Sequence, residues 1–233
     1  MVFVLTYESC SEEAIKAITF KETMDCLKWA FREYGDNVVY ACSFGAESSV
    51  LLHLISKVKE DAAIAFIDTN LHFGETYETI EHVKEKYPRF TINLISTALS
   101  LKDQAHKFGD NLWNVNPNHC CQIRKIEPLR EKLQKYKAWI SGLRRSQSST
   151  RANVDFVNID HRFQKIKICP LIHWTWDEIW MYIKLYQLPY NKLHDKGYPS
   201  IGCEVCTKPV EEAGESREGR WLNHQKNECG LHI

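Results

Sequence analysis

An excess of charge is the first thing this sequence lacks: thirty Lys and Arg are matched by thirty Asp and Glu in 233 residues. With a pI near 7.1 there is no bulk electrostatic attraction to nucleic acid or to an anionic membrane, although a local basic cleft stays open. No apolar run approaches the roughly 18–20 residues that span a bilayer. The first residues, MVFVLTYESCSEEA, have no basic start and no long apolar stretch, so no secretory leader is expected and a cytoplasmic chain is. Ten Gly and seven Pro are too few for a collagenous or low-complexity chain, and no internal repeat is present. A hydrophobic fraction of 44% with 26% charged residues is that of a globular protein, and the length suits one domain spanning 1–233.

Cysteine is not scarce. Nine of them, an odd number in a chain expected where thiols stay reduced, argue for metal ligation or thiol chemistry over a disulfide framework.

The order of elements gives the fold class. Ser11, followed by Glu12 and Glu13, opens a helical pattern whose apolar face runs to Gly35. Val38–Cys42 reads as a buried strand, Ser48–Val58 as a helix, Ala62–Ile67 as a strand, Thr76–Tyr87 as a helix and Thr91–Ile95 as a strand. A basic helix near Ile123–Lys135 precedes a fourth strand at Ala138–Ile140, and Thr175–Glu178 is a capping box opening a helix to about Tyr186. Strand and helix in this alternation predict a doubly wound, mostly parallel α/β sheet with helices on both faces. After Pro189 the chain reads as loops and an arm.

Ser43-Phe44-Gly45-Ala46-Glu47-Ser48 sits between a strand and a helix, where unpaired N–H groups and the helix dipole favour an anion. It lacks the GxxxxGK[ST] pattern of a Walker loop. Asp68-Thr69-Asn70 ends the next strand, and two polar strand ends side by side form the crevice in which such sheets bind nucleotides. The loop resembles the SGGxDS-like loop of the adenine-nucleotide alpha hydrolases (PP-loop type), from which Phe44 and Glu47 depart.

Cys120 and Cys121 are adjacent, and Cys203-Glu204-Val205-Cys206 is a CxxC; both pairs lie in turn-rich context. Four thiolates suit tetrahedral zinc or a cubane iron–sulfur cluster. Neighbouring residues reach one small ion poorly but can bind two corners of a cubane, which favours the cluster. Arg124 and Lys125 follow the vicinal pair and can offset its charge. Cys10, Cys26, Cys42 and Cys169 lie in apolar stretches and read as packing residues.

Cys229, in Glu228-Cys229-Gly230-Leu231-His232 near the C-terminus, is placed as a mobile nucleophile is placed, with arginines or His232 to lower its pKa. Those arginines sit in loops: Arg144, Arg145 and Arg151 beside Gly and Ser, then Arg217 and Arg220. Their planar forks match phosphate and sulfate oxygens.

Taken in order, SFGAES (43–48), FIDTNLHFGET (66–76), CCQIRKIEPL (120–129), GLRRSQSSTR (142–151), GCEVCT (202–207), REGRW (217–221) and ECGLH (228–232) resemble the adenylyl-sulfate and phosphoadenylyl-sulfate reductases of assimilatory sulfate reduction. The two cysteine pairs are those of the iron–sulfur branch. The resemblance implies one [4Fe-4S] cluster on Cys120, Cys121, Cys203 and Cys206. It implies attack of Cys229 on the substrate sulfur, an S-sulfocysteine, and release of sulfite by thioredoxin or a similar dithiol protein. Lys125, Arg217, Arg220 and His232 would surround the phosphosulfate, Ser43, Gly45 and Ser48 would lie in the nucleotide loop, and Arg144 and Arg151 would line the same cleft. Residues from about 208 to 233 would form a flexible catalytic arm. Adenylyl sulfate is the expected substrate, with its 3′-phosphorylated form, or both, as the alternative. An iron–sulfur tRNA thiolase and a non-catalytic zinc module are the competing readings.

Overall fold

The computed structural model describes residues 4–211, 217, 219–222, 224, 226 and 228–231. Six strands form one sheet. They are β1 (Val38–Cys42), β2 (Ala63–Ile67), β3 (Thr91–Ile95), β4 (Ala138–Ile140), β5 (Val157–Asp160) and β6 (Lys165–Ile168), in the spatial order β3-β2-β1-β4-β6-β5. All neighbours run parallel except β5, which pairs antiparallel with β6 at the edge. The chain winds outward from β1 through β2 to β3, then returns to add β4 on the other side of β1. The order therefore reverses between β1 and β4, and a crevice opens there beyond the strand ends.

Alternation along β1 assigns the two faces. Val38, Tyr40 and Cys42 join Ile64, Phe66, Ile140 and Ile168 in the larger core. The helices α2 (Thr23–Tyr34), α3 (Ala46–Ser56), α4 (Gly74–Lys86) and α9 (Trp176–Leu185) cover that side, while α5 (Leu101–Phe108) and α6 (Leu112–Val115) meet in a separate small cluster round Leu112. Val39, Ala65 and Trp139 point the other way, onto Leu129 and Leu133 of α8 (Glu127–Leu133). Helix α3 is buried almost all round, from Ala46 to Ile55, as befits a helix rich in Val, Leu and Ile. No helix among the described residues is long and apolar enough to cross a membrane.

Several expectations are met and some are displaced. Ser11 caps α1 (Glu12–Lys16) by accepting from the Ala14 N–H at 3.2 Å, but the helical pattern to Gly35 is broken over residues 17–22. There Phe20 turns in to pack against Trp29 and Phe156 at 5.5 and 5.6 Å between ring centres. Thr175 and Glu178 form the capping box of α9, at 3.2 and 2.7 Å. The vicinal cysteines lie on a helix and not in a turn. Pro117 opens α7 (Pro117–Cys121), and a π-helical turn over Gln122–Ile126 joins it to α8. A proline in the first turn forfeits no hydrogen bond, and π-helical turns are common where a side chain must be re-aimed.

Candidate active site

The crevice at the β1/β4 switch point is a cleft with about 1270 Å³ of free space, its open mouth included. Ser43, Gly45 and Ser48 enter it from the end of β1, Arg144 and Arg151 from the segment after β4, and Lys125 from the π-helical turn. Arg217, Arg220 and Cys229 close it from the tail. All the sequence-derived substrate residues except His232, which lies outside the described residues, therefore share one cavity.

The nucleotide loop is held from below. Ser48 Oγ accepts from Tyr40 OH at 3.0 Å and from the Ser43 N–H at 3.3 Å, and lies 3.2 Å from Ser43 Oγ. Phe44, with a left-handed φ of 54°, carries its ring into the core against Phe66 at 5.4 Å, so this departure from the usual loop pattern faces away from the cleft. His194 braces the start of α3. Its Nδ1 faces the Tyr198 carbonyl at 2.7 Å and its Nε2 the Ala46 N–H at 3.2 Å. Donation at Nδ1 and acceptance at Nε2 describe a neutral ring, and burial lowers its pKa.

The arginines divide the work. Arg144 is buried, with Nε on Glu47 Oε1 at 3.0 Å and Nη1 on Ser146 Oγ at 2.6 Å, and its guanidinium lies over the Trp176 ring at 5.3 Å. It shapes the cleft wall. Arg151 grips the Glu228 carboxylate with Nε and Nη2, at 2.7 and 2.8 Å. Arg217 reaches the same carboxylate at 3.6 Å; burial, with Arg220 nearby, lowers its pKa to about 10. Arg220 stacks on Trp221 at 4.5 Å and donates to Ser200 Oγ at 3.3 Å. Its guanidinium fills the space that a Cβ on Gly202 would need, which is why glycine stands directly before the CxxC.

Lys125 and Cys229 both line the cleft and act on each other's charge. Burial works against the charge on Lys125, yet the sulfurs of Cys203, Cys121 and Cys229 outweigh it and its pKa is raised. Burial alone would push the Cys229 thiol up. Lys125, the Leu231 N–H, Arg217 and Arg220 together bring it below the ordinary value. A lowered pKa leaves more thiolate at neutral pH, and thiolate is the nucleophile. His72, beside them in the cleft, is held neutral by burial and by Lys125, with a pKa of about 4.

Behind Lys125, Cys120, Cys121, Cys203 and Cys206 line one small cavity, and none of the nine cysteines forms a disulfide. Burial and mutual proximity push Cys120 up to about 12 and Cys206 up to about 11. As bare thiols these two would stay protonated, and a cationic centre in the cavity would draw them to thiolate. No three His, Cys, Asp or Glu side chains among the described residues converge closely enough for one metal ion. Four sulfurs lining one cavity are the donor set that a centre with several corners, as a cubane has, would take. The CxxC loop is fixed by backbone pairing of Cys203 with His72 and by Thr69 Oγ1, 3.2 Å from Cys203 Sγ. Arg124 is wholly inside, donating to Gln104, Thr69 and Leu99 at 2.7–3.2 Å, and so pins the helix that carries the vicinal pair. Glu47, Gln147 and Glu228 also stand in or beside this cleft; as ordinary polar residues of loops and helix ends they carry no signal until the contacts are seen.

Fold and site together define an α/β nucleotide-binding protein of the PP-loop type with a cysteine set among cations at its switch point. The matching family model is that of the phosphoadenosine phosphosulfate reductase domain, over residues 37–209. The chain belongs to that family. It is 57% identical to adenosine 5′-phosphosulfate reductase 2 of Bacillus subtilis over 98% of both chains. It is also 57% identical to the adenosine 5′-phosphosulfate reductase of Halalkalibacterium halodurans, over 94% of this chain and 95% of that one. Among solved structures, phosphoadenylyl-sulfate reductase from Candida auris, a phosphate complex, superposes with a TM-score of 0.74 at 30% identity, covering 87% of this chain and 98% of the other. An FMN adenylyltransferase from Candida glabrata shares the fold alone, with a TM-score of 0.60 at 18% identity over 87% of this chain and 69% of that one.

Proposed function

We propose that this protein reduces adenosine 5′-phosphosulfate to sulfite and AMP, with Cys229 as nucleophile and an external dithiol protein of the thioredoxin kind as reductant. The observation that carries this reading is the setting of Cys229: a thiol of lowered pKa facing the cleft, beside Lys125, Arg217 and Arg220. The relatives at 57% identity bear the name of that activity.

The chemistry then follows from charge. A thiolate approaching an anionic phosphosulfate is repelled; two unit charges 4 Å apart interact by about 4 kcal/mol at an effective dielectric near 20. Lys125, Arg217 and Arg220 offset that repulsion and stabilise the phosphate oxygen as the S–O bond breaks. Cys229 Sγ forms the new S–S bond, AMP departs with the electron pair, and Cys229 carries the sulfonate as an S-sulfocysteine. A thiolate of the dithiol protein then attacks Cys229 Sγ, expelling sulfite, and its second thiol frees Cys229. The dithiol supplies both electrons. Ser43, Gly45 and Ser48 hold the nucleotide, while Arg144 and Arg151 keep the cleft walls in place.

Cys120, Cys121, Cys203 and Cys206 would hold a [4Fe-4S] cluster, which when bound would supply charge that tunes Lys125 and not a path for electrons. Of the arm expected over about 208 to 233, residues 212–216, 218, 223, 225, 227, 232 and 233 lie outside the described residues; the part that carries Cys229 would leave the cleft so that the reductant reaches the sulfur. A cytoplasmic location, where thiols stay reduced, belongs to the same reading.

Cys229→Ser is expected to abolish sulfite formation while nucleotide binding persists; retained turnover would remove Cys229 from its role. Steady-state comparison of adenosine 5′-phosphosulfate with its 3′-phosphorylated form on anaerobically purified protein is expected to favour the first by more than about tenfold in kcat/KM, a difference of roughly 1.4 kcal/mol. The reverse preference would assign the other substrate.

A further inference from the structure

Glu47, in the first turn after the nucleotide loop, and Glu228, next to the nucleophile, are joined by one unbroken series of side-chain hydrogen bonds. Gln147 stands at its centre. Its Nε2 donates to Glu47 Oε1 at 2.7 Å. Its Oε1 accepts from the backbone N–H of Arg144 at 3.0 Å and from Arg151 Nη1. Arg151 then closes on both oxygens of Glu228 at 2.7 and 2.8 Å, and Ser148 Oγ donates to the same carboxylate at 3.3 Å. Arg151 and Glu228 are 3% and 8% exposed, so water does little to loosen these bonds.

The chemistry of the central position is restrictive. Glu47 Oε1, already held by Arg144 Nε at 3.0 Å, takes a second donor here, and Arg151 needs an acceptor. A carboxylate cannot donate, and an ammonium or guanidinium cannot accept. An uncharged side chain long enough to reach both, with a donor at one corner and an acceptor at the other, satisfies the two at once. Gln147 does so, and its backbone position is fixed by the same amide oxygen through Arg144.

We infer that Gln147 is a positioning residue that couples occupancy of the nucleotide loop to docking of the Cys229 tail. The inference rests on the nucleotide site proposed above. A ligand that orders the first turn of α3 fixes Glu47. Glu47 fixes the amide of Gln147, and the amide aims the Arg151 fork at Glu228. Because the linkage is reciprocal, a docked tail also tightens the loop. The tail is then held most firmly while there is a nucleotide to attack, and is freed when the loop empties.

The test is the rate at which iodoacetamide alkylates Cys229, followed on the Cys229 peptide by mass spectrometry, with and without saturating AMP. In the wild-type holoprotein AMP is expected to slow alkylation by a factor in the range of roughly 5–150, the usual span of such couplings. In Gln147→Leu AMP still binds and still shields the cleft, but the factor falls to less than half. Gln147→Glu, nearly the same size, sets a carboxylate against Glu47 and produces the same loss. Combining it with Glu47→Gln exchanges donor and acceptor and is expected to restore the factor, which a general loss of stability would not do. An undiminished factor in the single variants, or a double variant no better than Gln147→Glu, overturns the inference. Absence of AMP binding to wild-type protein in equilibrium dialysis would overturn the nucleotide site itself, and this coupling with it.

Discussion

Cys229 sits where burial by itself would keep a thiol protonated, and four neighbours reverse that. The order of causes makes the reversal depend first on Lys125, whose own charge is retained because it faces sulfurs. Lys125→Met is therefore expected to raise the pH midpoint of Cys229 alkylation; an unchanged midpoint would show that the arginines alone suffice. Gly202 offers a second residue-scale test. A methyl group there meets the end of the flexible Arg220 side chain, not backbone, so Gly202→Ala is expected to displace the guanidinium at little cost to stability. The expected signature is a KM raised about tenfold, roughly 1.4 kcal/mol of binding, with a thermal midpoint within a few degrees of wild type. A large fall in Tm with KM unchanged would contradict it.

Among the elements, those that announce themselves in sequence carry an apolar run or a cap, and β3 does so although it is only half-buried. β1, β2 and β4 are short apolar runs, and Thr175 with Glu178 states the start of α9 in four residues. Thr175→Ala is expected to lower global stability by about 1 kcal/mol in urea unfolding, the usual worth of such a cap; no change would mean that α9 is held by packing alone. The hairpin of β5 and β6 is the converse case. Lys165-Ile166-Lys167-Ile168 alternates as a strand should, but over four residues alternation is no louder than chance, and Lys167 is drawn inside to lie 5.0 Å from the Trp139 ring centre. The helix of the vicinal cysteines was hidden for another reason. Asn, His and Cys around Pro117 carry no amphipathic period; the helix is started by Pro117 and by Asn116, whose Oδ1 accepts from the His119 N–H at 3.0 Å, and Arg124 ties the turn after it to Gln104 and Thr69. Of the candidate site, the cysteines, arginines and lysine that line the cleft and the cavity behind it were legible because those residue types declare their chemistry. Glu47, Gln147 and Glu228 were not, since their role lies in contacts between residues up to 100 apart in sequence.

At the scale of the whole molecule the arrangement is a switch-point cleft with Cys229, the proposed nucleophile, brought in from the far end of the chain. The tail's hold depends on Glu228. Burial opposes its charge, and Arg151 and Arg217 more than compensate, leaving its pKa below the ordinary 4.5. That contribution is complete above pH 4.5 and is lost as the pH falls through the lowered value, so Cys229 is expected to become more accessible to a pH-insensitive thiol reagent only under acid conditions. Glu228→Gln should release the tail at neutral pH, because it leaves Arg151 buried beside a neutral partner, a loss of about 3–5 kcal/mol where a buried pair is broken. Faster Cys229 modification with unchanged global unfolding is the expected result; unchanged modification would place the anchor elsewhere. The most direct measurement on the reaction itself is to mix the holoprotein with adenosine 5′-phosphosulfate and no reductant, then weigh its peptides. One SO₃ group on Cys229 and one AMP per chain are expected, with sulfite appearing only when a dithiol protein is added. Sulfite released without reductant, or a sulfonate on any other residue, would contradict it.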